Sequence, residues 1–185
     1  RHGVSMNIEI DDSRPTTLKQ RFRANGKTLL RVSHLRQHDI ARELADRLLA
    51  KICEALEASD LLIFSDFNYG CLPQELVDGI CEAAKRLGVP MVADSQSSSQ
   101  VGDISRFKDM LLITPTEREA RLAVRDFTSG LVMLAEQLHH AANPGNVVIT
   151  LGAEGLLAHT RAFSDETRDW VTDQLPAFNT APKDS

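Results

Sequence analysis

The chain has 185 residues, 42% hydrophobic and 25% charged, which suits one globular domain able to bury a real core. Its 21 basic against 26 acidic residues give a net charge of −5, which removes the electrostatic reason to expect a nucleic-acid or anionic-membrane partner and leaves only local basic patches open. Cys53, Cys71 and Cys81 are odd in number and lack zinc-ligand spacing, so a reducing, cytoplasmic compartment is expected; no apolar run approaches the roughly 18 residues of a bilayer span, and "RHGVSMNIEI" is no signal peptide.

Val4, Met6, Ile8 and Ile10 alternate with polar residues, which predicts a strand with one buried face. After the turn-prone "DDSRP", the runs "TTLKQRFRA" and "KTLLRV" flank Asn25-Gly26, the signal of a tight hairpin over residues 16 to 32. Alternation puts Thr17, Lys19, Arg21 and Arg23 on one face of it and Leu18, Gln20 and Phe22 on the other. The basic face reads either as solvated edge protection or as a surface for a phosphorylated substrate.

A helical pattern from about Asp39 to Ala58 leads into the apolar run "LLIFS" and Asp66. Pro73 opens the next helix, "QELVDGICEAAKRLG", which closes at Gly88 before the strand "VPMVAD". "MLLIT" at 110 to 114 is a third buried run, a helix-rich region follows to about Ala142, and "NVVITLG" is the fourth. Runs separated by helices cannot pair through tight hairpins, so they predict a parallel sheet with helical crossovers over about 39 to 185. The strands of about 4 to 32 form an attached antiparallel piece, and no linker composition divides the chain.

Ligands of open parallel sheets bind beyond the carboxyl ends of the strands, which makes "SDFNYG", "ADSQSSSQ", "TPTERE" and "TLGAEG" the informative segments. Thr150, Gly152 and Gly155 read as a loop whose N–H groups face phosphate oxygens, or as a β-turn joining "VVIT" to "LLAHT". Neither the P-loop nor the dinucleotide G-x-G-x-x-G pattern is present. Glu119, at a helix start, either complements the helix dipole or helps place a hydrated Mg²⁺. His139-His140 reads as a solvated helix face and Cys71 as an ordinary thiol.

The ordered set "RPTTLKQRFRANGKTLLRV", "LLIFSDFNYG", "GVPMVADS", "LLITPTERE" and "VVITLGAEG" resembles the ribokinase-like (PfkB) carbohydrate kinases, and within them the heptose-7-phosphate kinase halves of bifunctional ADP-heptose synthesis proteins. The resemblance implies a three-layer α/β/α fold with a mostly parallel sheet and a small β lid, truncated at both ends, and phosphoryl transfer from Mg-ATP to a sugar hydroxyl. It implies nucleotide contacts from Thr116, Glu119, Thr150, Gly152 and Gly155, with Glu119 toward Mg²⁺ through water. Lys19, Arg21, Asp66 and Asp94 would lie on the substrate side, and Asp184 would bind a monovalent cation such as K⁺. It also implies a dimer through the lid and a general base beyond Ser185, so that this piece alone is inactive, beside the cytoplasmic compartment and the lack of a nucleic-acid or membrane partner expected from the cysteines, charge and apolar runs.

Three positions depart from the family's pattern: Thr116 stands for an asparagine, and Tyr69 and Gln96 fall where lysines are usual. They motivate the alternative of a non-catalytic module that binds nucleotide or sugar phosphate.

Overall fold

The computed structural model describes residues 3–25, 27–97, 102–161 and 170–178. Strands β1 (Leu18–Ala24) and β2 (Lys27–His34) pair antiparallel as a separate two-stranded sheet, the piece that the resemblance casts as a lid and that is called the lid below. Arg21 faces Arg31 and Lys19 faces Ser33 across it, with a register shift between Phe22 and Arg23. Asn25 takes a left-handed φ of 51° at the predicted turn, while Gly26 lies outside the described residues.

Helix α1 (Arg42–Leu56) precedes β3 (Leu62–Asp66), α2 (Gln74–Leu87) leads to β4 (Met91–Ser95), and a single 3₁₀ turn (Ile104–Arg106) leads to β5 (Leu112–Ile113). Then come α3 (Glu117–Val124), α4 (Leu131–Ala142), β6 (Asn146–Thr150), β7 (Leu156–Arg161) and β8 (Trp170–Leu175). These strands form one six-stranded sheet in chain order from β3 to β8. The predicted parallel pairing holds from β3 through β6, whereas β6, β7 and β8 pair antiparallel. The turn foreseen between "VVIT" and "LLAHT" is therefore the hairpin that ends the parallel part.

Strands added one after another in one direction by right-handed crossovers place their helices on one face. Burial follows that rule. Phe64, Ala93, Ile113, Val147, Ile149 and Leu157 point to the covered face and join Leu44, Val77, Ile80, Leu134 and Leu138 of the helices in one core, each no more than 6% exposed. Ile63, on the opposite face of the edge strand β3, is 62% exposed. The described residues thus supply the sheet and one helical layer of the expected architecture.

One expected strand is absent. Residues 4 to 10 join neither sheet, and Val4, Met6, Ile8 and Ile10 are 73% to 78% exposed. Alternation yields a strand only where a neighbouring edge pairs with it, and among the described residues none pairs with this segment. The segment is tied instead by Glu9, which pairs with Lys51 and Arg47 of α1. Among the described residues no helix is long and apolar enough to cross a membrane.

Candidate active site

The parallel strands direct their carboxyl ends to one edge, where the turns after β3, β4, β5 and β6 gather. The β3 turn is fixed from several sides. Asp66, 3% exposed, accepts from Asn68 N–H through Oδ1 at 2.8 Å and from Arg106 through Oδ2 at 2.8 Å. Arg106 also donates to the Leu72 carbonyl at 2.9 Å, and Asn68 Nδ2 donates to Ser95 Oγ and to the Gln96 carbonyl. Arg14 donates to the carbonyls of Tyr69 and His38 at 2.5 and 2.6 Å. Gly70, at φ +75°, leaves no room for a side chain, because a Cβ there would lie 2.2 Å from the His38 carbonyl oxygen.

Asp94, at the end of β4, sits half-buried with Thr114 Oγ1 at 3.4 Å. Burial first, and then the charge of Glu119, push its pKa above the usual aspartate value. Glu119, 8% exposed, accepts Ser97 N–H on Oε1 at 2.6 Å, and Thr116 N–H and Oγ1–H on Oε2, both at 2.8 Å. Thr116 in turn caps α3, completing a reciprocal capping box. A carboxylate offers about four lone-pair directions, so three internal bonds leave Glu119 room for a further polar contact.

Thr116 and Thr150 form an isolated parallel bridge, which joins the β5 turn to the end of β6. Beyond it, the 3₁₀ turn Gly152–Glu154 separates two glycines with different tasks. Gly152, at φ +61°, has nothing within 4 Å of a would-be Cβ, so the turn is open on that side. Gly155, at φ +100°, is packed against its own chain: a Cβ there would stand 1.9 Å from the Leu175 carbonyl oxygen.

Lys19 and Arg21 on the lid line a cavity of about 480 Å³ with Gln20, Arg31, Val32, Ser33 and Gln96. The structure therefore brings the predicted lid cations to the β4 turn, and Thr116, Glu119 and Thr150 to one another. Asp66 does not line that cavity and is engaged with Arg106, although its carbonyl accepts Gln96 N–H at 2.8 Å. Asp184 lies outside the described residues. Arg106, Ser97, Asn68 and Arg31 were not singled out by the sequence.

The profile of the pfkB family carbohydrate kinases matches residues 1–172. The chain belongs to that family. This is the family that the ordered strand-end motifs resemble, and the mostly parallel sheet with its small antiparallel companion is its fold. Among curated proteins it is 27% identical over 159 residues to the bifunctional protein HldE of Geotalea uraniireducens, covering 83% of this chain and 31% of HldE. Wolinella succinogenes HldE is 29% identical over 156 residues, covering 82% and 32%. The chain thus spans about a third of these relatives.

Solved structures agree on the fold. Escherichia coli phosphofructokinase-2 in complex with potassium gives a TM-score of 0.59 at 16% identity, over 80% of this chain and 46% of that one. Arabidopsis thaliana ribokinase complexed with ribose and ATP gives 0.56 at 14% identity, over 92% and 51%.

Proposed function

We propose that this chain is the central part of an ATP-dependent kinase that phosphorylates a hydroxyl of a sugar or sugar phosphate, with a heptose 7-phosphate-like substrate preferred. The observation carrying this reading is the meeting, at one end of the sheet, of an open glycine turn at Gly152, the carboxylates Asp94 and Glu119, and the basic lid face of Lys19 and Arg21. Membership of a carbohydrate kinase family and the HldE matches support it.

Phosphoryl transfer relies on positioning and on neutralising charge rather than on covalent chemistry from the protein. In this reading Thr150 and the Gly152 backbone face nucleotide phosphates, and Lys19 or Arg21 holds the substrate's own phosphate. Asp94 and Glu119 repel one another and favour a nearby cation, the chemistry that suits a hydrated Mg²⁺. Among the described residues no group of three acidic, His or Cys side chains could hold a metal alone, so Mg²⁺ would arrive with ATP and neutralise the transferring charge. The general base is assigned beyond residue 185 and a monovalent cation to Asp184; the protein is assigned to the cytoplasm and to a dimer through the lid.

The test is calorimetric titration of Mg-ATP together with turnover on heptose 7-phosphate. Mg-ATP binding by residues 1–185 without turnover, and turnover by the full-length protein, are expected. A folded full-length protein that consumes no ATP with such substrates overturns the kinase reading. Binding without turnover in that full-length protein supports the second reading, a binding module without chemistry. The residues Tyr69, Gln96 and Thr116, which stand where the resemblance leads one to expect two lysines and an asparagine, motivate that second reading.

A further inference from the structure

The lid is a two-stranded sheet, an arrangement marginal on its own, so what fastens it to the sheet below decides where its cations stand. Lys19 Nζ lies 5.1 Å from the centroid of the Phe67 ring and 5.2 Å from that of Tyr69. The two rings are 6.2 Å apart and inclined by only 24°, so they offer one ammonium two neighbouring faces. Both distances fall within the reach over which a ring's negative face attracts a cation.

The rings are firmly mounted. Asn68, between them, is held at φ 57° by Asp66 below and by Ser95 and Gln96 beside it. The Tyr69 carbonyl is held by Arg14, and the Gly70 carbonyl accepts Ile40 N–H at 2.9 Å.

We propose that Phe67 and Tyr69 form an aromatic seat that positions Lys19, fastening the lid to the β3 turn and presenting the ammonium to the cavity it shares with Arg21, Arg31 and Gln96. An acidic partner would hold a lysine equally well and cancel its charge. An aromatic seat holds it and leaves the charge available to an anion. Tyr69 is then a positioning residue that acts through Lys19. The seat itself stands on geometry; its use for a substrate phosphate rests on the kinase reading above.

The test reads hydrogen exchange of the lid amides, residues 18 to 34, in the ligand-free chain. Lys19→Met, which removes both ring contacts, should speed lid exchange about fivefold, Tyr69→Leu, which leaves Phe67, by less, and the double variant no more than Lys19→Met alone. Tyr69→Phe keeps a ring face and should exchange as the parent does, a rescue that a merely structural hydroxyl role would not give. Phe67→Leu, at a position 43% exposed, gives the same readout without touching the hydrogen bonds of the turn, so it decides the matter if Tyr69→Leu also loosens β4. Unchanged lid exchange in Phe67→Leu, or multiplying effects of Lys19→Met and Tyr69→Leu, overturns the seat.

A parallel titration with heptose 7-phosphate separates the two claims. Weaker binding in Tyr69→Leu and parental binding in Tyr69→Phe supports the use of the seat. Altered lid exchange with no binding by the parent or any variant keeps the seat and removes its use for a substrate phosphate, while the kinase reading stands or falls with turnover by the full-length protein.

Discussion

Arg106 Nη2 stands 2.8 Å from Asp66 Oδ2, pairing a carboxylate that is 3% exposed with a guanidinium whose side chain is 18% exposed. The 3₁₀ turn before β5 thereby reaches across to the end of β3. Removing one partner of a buried pair leaves an uncompensated charge, which typically costs several kcal/mol. Arg106→Ala should lower stability by about 3 kcal/mol. Arg106→Lys should fall between, because an ammonium cannot span Asp66, the Leu72 carbonyl and Gln74 as the forked group does. Urea denaturation checks this, and an unmoved midpoint in Arg106→Ala would show that the pair is solvated after all.

Thr116 serves the helix before it serves any ligand. Its hydroxyl accepts from Glu119 N–H at 3.3 Å and donates to Glu119 Oε2 at 2.8 Å. Thr116→Ala should therefore cost about 1 kcal/mol, whereas Thr116→Asn, an equally good cap, should keep the parent's thermal midpoint. If the nucleotide reading is right, Thr116→Asn also retains Mg-ATP binding in calorimetry. Equal midpoints for the alanine and asparagine variants would remove the capping argument.

Gly155→Ala should destabilise by about 2 kcal/mol or more, since a left-handed backbone and a collision with rigid chain add together. The atoms in the way are backbone: Leu175 O at 1.9 Å and Ala177 N at 2.8 Å. Gly152→Ala meets no atoms and bears only the cost of its φ, so it should lose roughly 1 kcal/mol of stability and proportionally more nucleotide affinity. Denaturation beside Mg-ATP titration separates the pair, and the idea fails if the two variants lose stability equally.

The parallel core was legible because each buried run was short, apolar and closed by a helix signal; Pro73 and Gly88 bracket α2 much as predicted. What escaped depended on partners. Val4 to Ile10 carry a faultless alternation, yet no described strand lies beside them. A tight turn at Asn25-Gly26 would place Leu30 opposite Arg21, but the shift between Phe22 and Arg23 brings Arg31 there instead and adds a third cation to Lys19 and Arg21 around the cavity. Arg106 lies 40 residues from Asp66, a pairing no local pattern encodes. The two glycines of "TLGAEG" look alike in sequence and differ only through β8, which closes on one of them.

His159 should make stability depend on pH. It is 2% exposed, stacks on Trp170 at 4.6 Å with an interplanar angle of 1°, and shares a hydrogen between Nδ1 and Thr172 Oγ1 at 2.8 Å. Its Nε2 has no hydrogen-bond partner among the described residues. Burial, foremost, and His139 lower its pKa, while Glu136 on α4 works the other way. The unfolded chain, with an ordinary histidine near about 6.5, then takes the proton more readily than the fold does. Stability should accordingly be full above that value, fall as pH drops below it, and level off once pH passes beneath the folded pKa. Asp94 has the opposite sign, its raised pKa favouring the fold as acid is added, so the comparison must be with a variant that leaves it in place. Urea midpoints followed by the fluorescence of the chain's single tryptophan at pH 7.5 and about 5.5 should show a smaller drop in His159→Gln than in the parent. An identical drop in both would assign the pH dependence to other groups.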